Sequence, residues 1–178
     1  MIIKFEKLKK EKIEFLDKIF IYPTDTIYWI GCDAENCFLV DKIRKIKKRD
    51  SKPFSVIAPN IEWILKNCET NEEEIKKFLP GPYTLILKKK DKNFLKNVSD
   101  NEFLGIRIPL HPMTDFLQKT GKPIVTTSVN FSGEPPMIEL KGLPKEIKKQ
   151  IDFAIDMGLI SGTHSRLVKN GEILERAN

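Results

Sequence analysis

Short runs rich in apolar residues alternate along the chain with longer segments in which apolar residues recur every three or four positions. The short runs are typical of buried strands, and the recurring pattern is typical of helices that bury one face. The predicted strands are IFIY (19–22), PFSVIA (53–58), YTLILK (83–88), FLGIRIP (103–109), PIVTTS (123–128), FAIDMG (153–158) and SRLVKNGEILE (165–175), the last a hairpin around Asn170-Gly171. The predicted helices are 6–18, 35–48, 60–67 with Asn60 at its start, 70–80 with a capping box of Thr70 and Glu73, 111–121 and 143–151.

This alternation of strands and helices predicts an α/β or α+β domain. The final strands follow one another in hairpin style, which favours a mixed sheet over a purely parallel one. The chain has 178 residues, no internal repeat and no linker-like segment, so we expect a single domain that spans residues 1–178.

Composition and charge narrow the class of protein. Apolar residues make up 40% of the chain and charged residues 31%, as in ordinary globular domains. The net charge of +6 and the pI near 9.1 favour polyanionic partners such as nucleotides or RNA. Cys32, Cys37 and Cys68 include no CxxC pair and accompany only two histidines, so we expect reduced thiols rather than a zinc site. The N-terminus lacks the apolar segment of a signal peptide, and no run approaches the ~20 apolar residues of a membrane span, so we expect a cytoplasmic protein without membrane contact.

Candidate chemistry is concentrated where the predicted strands end, which is where open α/β sheets bind ligands. The chain has neither a GxxxxGK[ST] loop nor a GxGxxG loop, so the common nucleotide-binding loops are excluded. The polar groups that remain are Thr24, Asp25 and Thr26 after the first strand, Lys47, Arg49 and Lys52 before the second, Arg107 within GIRIP, and Ser128 and Asn130 within TTSVNFSG.

Each of these groups also has an ordinary structural interpretation. The segment 24–26 has the composition of a capped turn, and cations at the end of a helix are favoured by its dipole whatever their function. Arg107 alternates with isoleucines and so takes the opposite sheet face, which is either solvent or a cavity. The hydroxyls and amide of TTSVNFSG suit either a capped turn or a cradle for phosphate oxygens, and Gly133 lets the backbone turn back.

Five segments in their order along the chain resemble the YrdC-type threonylcarbamoyl-AMP synthase family. They are PTDTIYWIGCDA (23–34), IKKRDSKPFSVIAPN (46–60), GPYTLIL (81–87), GIRIPLHP (105–112) and PIVTTSVNFSGEPP (123–136), with a fainter match at DMGLISGTHSRLV (156–168). The KxR pair of the family corresponds to Lys47 and Arg49, and its SxN pair corresponds to Ser128 and Asn130.

The resemblance implies a YrdC-like twisted mixed sheet with flanking helices and a concave basic cavity. It implies a nucleotidyltransferase that joins L-threonine, bicarbonate and ATP with Mg²⁺ into threonylcarbamoyl-AMP and pyrophosphate, after which a downstream transferase complex passes the group to adenosine 37 of tRNA. No catalytic side chain and no protein metal ligand is implied. The implied ATP-binding residues are Lys47, Arg49, Lys52, Ser128 and Asn130, and the implied threonine-binding residues are Thr24, Thr26, Arg107, Thr126 and Ser165.

Two positions depart from the family pattern. Trp29 stands where the family has a small glycine, and its indole either narrows the cavity or packs outward on the alternate face. Arg166 stands where the family has a threonine. Two other functions stay open at this point: a non-catalytic YrdC-like protein that binds tRNA or double-stranded RNA, and a carbamoyl-adenylate enzyme like the domain found in hydrogenase-maturation proteins.

Overall fold

The computed structural model describes residues 1–8, 14–48, 52–131, 134–160 and 162–174. These residues form eleven strands and six helices. The strands are β1 (Ile2–Lys4), β2 (Phe20–Pro23), β3 (Tyr28–Gly31), β4 (Ser55–Ile57), β5 (Cys68–Glu69), β6 (Tyr83–Lys89), β7 (Phe103–Arg107), β8 (Ile124–Ser128), β9 (Phe153–Asp156), β10 (Arg166–Lys169) and β11 (Glu172–Leu174). The helices are α1 (Phe5–Leu8), α2 (Cys37–Lys47), α3 (Ile61–Asn67), α4 (Glu72–Lys76), α5 (Pro112–Gln118) and α6 (Lys145–Lys148).

The strands form one mixed sheet in the order β1-β9-β2-β3-β8-β4-β7-β6-β10-β11, with β5 paired to β6. The pairs β1–β9, β2–β9, β4–β7 and β6–β10 are parallel, and the other pairs are antiparallel. The prediction of a mixed α/β sheet is therefore confirmed. The predicted hairpin is also present between β10 and β11, where Asn170 and Gly171 both have positive φ, as a two-residue hairpin turn requires.

One face of the sheet packs against α2, α3 and α4. Helix α2 contributes apolar residues that recur every three or four positions, and Val40 and Ile43 are fully buried among them. The sheet contributes alternate residues of its strands, such as Leu104 and Ile106 of β7. This face holds the larger apolar core.

The opposite face is divided into two halves. Its first half lies under α1 and α5 and is closed by a second apolar cluster, in which Met113 and Leu117 of α5 meet Phe20 and Ile155 of the sheet. Its second half, over β4, β6, β7 and β8, carries small and polar residues and opens into a cavity. The division of this face places the candidate site beside an apolar core.

Several predicted elements differ from the structure at the N-terminus. Residues 2–4 form β1 beside β9, and the helix predicted for 6–18 is wrong beyond α1 as far as the structure describes it, since 9–13 lie outside the described residues and 14–18 are not helical. Asp17 has a φ of 59°, a left-handed conformation that cannot continue a helix. Strand β3 was also not predicted, because its four residues follow the 24–26 turn without a break in the apolar pattern.

The predicted helix caps and lengths agree with the structure for α3 and differ from it for α4 and α6. Asn60 caps α3 as predicted, with its side chain accepting from the Trp63 N–H at 2.7 Å. The predicted capping box of α4 is wrong, because Asn71 accepts from the backbone N–H of Glu74 while Thr70 donates to the Glu74 carboxylate. Helix α6 is much shorter than the predicted 143–151 and covers four residues.

The three cysteines have no disulfide, with Cys32 and Cys68 buried and Cys37 exposed. Burial raises the pKa of the Cys68 thiol to about 11, so it is a protonated thiol near neutral pH. Among the helices of the described ranges, none has the length and apolar character of a membrane span.

Candidate functional site

A cavity of about 250 Å³ lies on the open half of the second sheet face. Residues of β3, β4, β6, β7, β8 and β10, and of segments beside these strands, line the cavity: Trp29, Pro53, Phe54, Ser55, Thr84, Ile86, Asn101, Phe103, Gly105, Thr126, Thr127, Ser128, His164, Ser165 and Leu167. Three of the residues predicted to bind ligands therefore line one cavity: Thr126, Ser128 and Ser165.

The floor of the cavity is made from small residues on adjacent strands. Ser55 of β4 lies between Thr126 of β8 and Gly105 of β7 in the strand register. A Cβ atom at Gly105 would lie 2.3 Å from the Ser55 hydroxyl oxygen, so any other residue here would force Ser55 to move. The cavity exists because these positions carry almost no side-chain volume.

The described lining is neutral. It offers hydroxyls, the Asn101 amide and the His164 imidazole, and no lysine or arginine among the described residues lines it. The structure thus does not show the concave basic cavity that the family resemblance implies. Lys47 and Arg107 are buried, and Lys52 is exposed but is not among the lining residues. Ser165 donates to or accepts from Thr84 at 2.8 Å, and Arg166 is exposed on β10.

Lys47 is buried at the end of α2 and points towards the end of β8. Its ammonium donates to the backbone oxygens of Ser128 and Asn130 at 2.6 and 2.5 Å, and to the Asn130 side-chain oxygen at 2.5 Å. The Ser128 hydroxyl donates to the same Asn130 oxygen at 2.6 Å, and the Asn130 amide donates to the Glu134 backbone oxygen. Lys47, the first residue of the KxR pair, thus meets both residues of the SxN pair and holds the turn that follows β8.

The other two predicted cations have different surroundings. Arg49 lies outside the described residues, as does Gly133 of the predicted phosphate cradle. Lys52 is exposed, and its backbone oxygen accepts from Arg44 at 3.0 Å. Arg44 also donates to Asn97 and stacks over the Phe54 ring at 4.4 Å, so it anchors the chain at the cavity mouth. Arg44 was not predicted from the sequence, because its acceptors are backbone oxygens, most of them from the distant segment 97–98.

Arg107 is fully buried, which excludes the solvent-facing interpretation. It shares its sheet face with Gly105, as the strand alternation predicts. Its Nη2 atom donates to Asp25 Oδ1 at 3.1 Å and to the Thr26 hydroxyl at 3.3 Å. The second Asp25 oxygen accepts from the backbone N–H of Leu110 at 3.0 Å. The 24–26 turn thus supplies Arg107 with an internal carboxylate, a role for Asp25 that the sequence did not indicate.

Trp29 packs on the cavity face rather than on the alternate face, so it narrows the cavity. The Arg107 guanidinium carbon lies 4.6 Å from the centre of the Trp29 ring. The indole N–H donates to the Thr24 hydroxyl at 2.8 Å and to the Thr26 hydroxyl at 3.2 Å. Since Arg107, Thr24 and Thr26 do not line the cavity, the indole lies between them and the open space.

The segment 162–165 presses against the same turn from the other side. A Cβ atom at Gly162 would lie 1.6 Å from the backbone oxygen of Thr26. We expect Gly162→Ala to lower the free energy of unfolding by about 1–3 kcal/mol, as overpacking commonly does. Denaturant unfolding measures this effect, with Thr163→Ala at the exposed neighbouring position as the control. Equal stability of the two variants would show that the segment does not need close contact with the turn.

The chain is similar to known proteins in sequence and in fold. A family model for the Sua5–YciO–YrdC domain, described as "Telomere recombination", matches residues 15–176. A protein of Methanocaldococcus jannaschii with the provisional name threonylcarbamoyl-AMP synthase is 37% identical over 163 residues, which cover 86% of this chain and 77% of the relative. The threonylcarbamoyl-AMP synthase of Pseudoalteromonas atlantica is 31% identical over 156 residues, which cover 83% of this chain and 82% of the relative.

The fold is shared with Sua5 of P. abyssi, whose structure was solved with L-threonine. The TM-score is 0.78 at 23% sequence identity, and the match covers 97% of this chain. It covers 54% of the Sua5 chain, so this chain spans about half the length of that relative.

Proposed function

This chain belongs to the Sua5–YciO–YrdC family, and from that membership we propose that it is a threonylcarbamoyl-AMP synthase. Its substrates are L-threonine, bicarbonate and ATP, and its products are threonylcarbamoyl-AMP, pyrophosphate and the water released when the threonine amine and bicarbonate form the carbamate. Relatives that carry this enzyme's name match most of the chain at 31–37% identity. The observation that carries the proposal is the convergence of polar residues from separate segments of the sequence on one cavity and its walls.

The end of β8 forms the nucleotide side of the proposed site. Ser128 lines the cavity, and Asn130 is held beside it by Lys47. Hydroxyl and amide donors at a strand end suit phosphate oxygens, and Arg49 and Lys52 would reach the triphosphate from the segment after α2. Lys47 would reach it only by giving up one of its present acceptors, so we assign it first to holding the turn.

The opposite side of the cavity forms the amino-acid side of the proposed site. Arg107 would bind the threonine carboxylate, for which a planar guanidinium offers two parallel donors. Thr24 and Thr26 would accept from the threonine amine, and Thr126 and Ser165 would contact its hydroxyl. This assignment is supported by burial of Arg107 beside the cavity, where a charge pair is weakly screened by solvent.

The reaction forms a bond between a carbamate oxygen and the α-phosphorus of ATP, and pyrophosphate leaves. The described lining offers hydroxyls, an amide and an imidazole, so the chain would contribute by positioning the reactants and by stabilising charge. Mg²⁺ would enter with ATP, held by phosphate oxygens and water in its preferred octahedral geometry. A downstream transferase complex would consume the product in tRNA modification, and the positive net charge favours contact with that tRNA.

We expect the purified chain to release pyrophosphate from ATP only when L-threonine, bicarbonate and Mg²⁺ are all present. Pyrophosphate release measured with each component omitted in turn tests this, and mass spectrometry identifies threonylcarbamoyl-AMP as the product. Equal release with carbamoyl phosphate in place of threonine and bicarbonate would instead indicate a carbamoyl-adenylate enzyme. Binding of double-stranded RNA without any pyrophosphate release would indicate a non-catalytic RNA-binding protein.

A further inference from the structure

We propose that the Trp29 indole occupies the amino-acid side of the cavity as an internal competitor of L-threonine, and so determines the affinity of this chain for the amino acid. The inference rests on the proposed function, because it concerns the same pocket. It goes further by assigning a role to a residue that replaces the small residue of the family pattern.

The indole N–H occupies hydrogen-bond acceptors that the substrate amine would need. Its N–H donates to the hydroxyls of Thr24 and Thr26, at 2.8 and 3.2 Å. A threonine amine is also an N–H donor, and under the proposed function it would use these same two hydroxyls. Each hydroxyl oxygen has two lone pairs, and one already accepts from the Thr26 backbone N–H at Thr24 and from Arg107 at Thr26. The indole N–H and the substrate amine therefore compete for the acceptor position that remains on each.

The indole ring also lies against the guanidinium of Arg107, which the substrate carboxylate would need. The ring centre lies 4.6 Å from the guanidinium carbon, and the guanidinium is fully buried. A carboxylate can bind Arg107 from the cavity only if the ring moves away. An incoming amino acid would thus replace the two interactions of the indole, one with its amine and one with its carboxylate.

With the indole in place, the cavity is smaller than a typical ligand pocket. The present volume of about 250 Å³ is below the roughly 300–1,000 Å³ of typical ligand pockets. Trp29 has the largest side chain of the lining, and it is only 5% exposed. Movement of the indole would enlarge the cavity on the side where Arg107 lies, without any change in the strands that form the floor.

Tryptophan fluorescence tests the movement directly, because the chain has only two tryptophans. Trp63 lies on α3, beside Phe94 and against the core on the other sheet face, so Trp63→Phe leaves Trp29 as the single reporter. In this variant we expect the emission of Trp29 to shift to the red and acrylamide quenching to increase when L-threonine is added with ATP and Mg²⁺. ATP and Mg²⁺ alone should leave both signals unchanged, and so should D-threonine.

Two variants test the competition. We expect Trp29→Ala to lower the KM for L-threonine at least tenfold, while kcat and the affinity for ATP each change less than twofold. Trp29→Phe keeps a ring beside Arg107 but removes the N–H donor, so its KM should lie between those of the wild type and Trp29→Ala. Thermal unfolding of each variant is measured in parallel, and Trp29→Phe together with the fluorescence titration decides the question if Trp29→Ala does not fold.

The outcomes separate this inference from the proposed function. Normal pyrophosphate release with an unchanged Trp29 signal at saturating L-threonine would overturn the competitor role and leave the synthase assignment intact. A Trp29 variant that loses stability while its KM for L-threonine stays the same or rises would also overturn the competitor role and leave the synthase assignment intact. This result is expected if Trp29 only stabilises the fold. No pyrophosphate release by the wild type or by either Trp29 variant would overturn both.

Discussion

Replacement of Arg107 by lysine is expected to weaken the binding of L-threonine by roughly ten- to hundredfold, while the affinity for ATP changes less than twofold. A charge-assisted hydrogen-bonded contact contributes about 1.5–3 kcal/mol, and each 1.4 kcal/mol is about tenfold in affinity. Lysine keeps the charge but cannot reproduce the planar two-bond contact of a guanidinium with a carboxylate. The binding of L-threonine should be the one weakened, because Ser128 and Asn130, which are predicted to bind phosphate, lie at the end of β8, whereas Arg107 contacts the turn that precedes β3.

Calorimetry with each ligand separately measures the two affinities. Arg166→Lys is the matched control, since Arg166 is exposed on β10 and its substitution should leave both affinities unchanged. An equal loss for ATP and L-threonine in the Arg107 variant would show that the division of the cavity into two sides is wrong.

Removal of the Arg107 charge should also destabilise the fold. The Asp25 side chain is only 12% exposed, and its partner Arg107 is completely buried. Arg107→Met would leave this carboxylate without its guanidinium, and loss of one member of a buried ion pair typically costs about 3–5 kcal/mol. The double variant Arg107→Met with Asp25→Asn should recover part of that loss in denaturant unfolding. No recovery would mean that Asp25 does not depend on Arg107.

Replacement of Lys47 by methionine is expected to lower the free energy of unfolding by on the order of 3 kcal/mol and to weaken ATP binding at least tenfold. The buried ammonium donates to three oxygens of Ser128 and Asn130, and methionine would leave these acceptors without their donor. The turn after β8 would then lose its connection to α2, so the predicted phosphate-binding donors would no longer be held in one arrangement.

Denaturant unfolding and ATP titration measure the two effects of the Lys47 substitution. Lys45→Met is the matched control, because Lys45 lies on the same helix and is exposed. A stable Lys47→Met protein with lost ATP binding would instead indicate a direct phosphate ligand, whereas unchanged ATP affinity would show that the turn does not need its anchor.

The sequence predicted the fold well where local pattern and burial coincide. Strands such as β6 and β8 were identified because they are short runs rich in apolar residues, and the β10–β11 hairpin was identified because Asn170 and Gly171 suit its turn. The N-terminal helix was predicted wrongly because a helical spacing of apolar residues also fits a short strand and loop folded over a core.

The sequence grouped several polar residues of the candidate site but did not indicate their contacts. The sequence grouped Lys47 with Ser128 and Asn130, and the structure brings all three together. It did not indicate that Lys47 is buried, nor that Arg107 pairs with Asp25 from a turn 82 residues away. Such pairings depend on strand order and register, which local patterns do not encode.

Gly105 gives the cavity a property that no side chain could supply. Gly105 has no side chain, so the cavity floor at this position consists of the main-chain atoms of β7. A ligand that reached the floor would touch the main chain itself, whose position is fixed by two neighbouring strands, β4 and β6. The depth of the pocket therefore depends on the absence of a side chain at residue 105, where a single methyl group would meet Ser55 and Thr84 and make the pocket shallower.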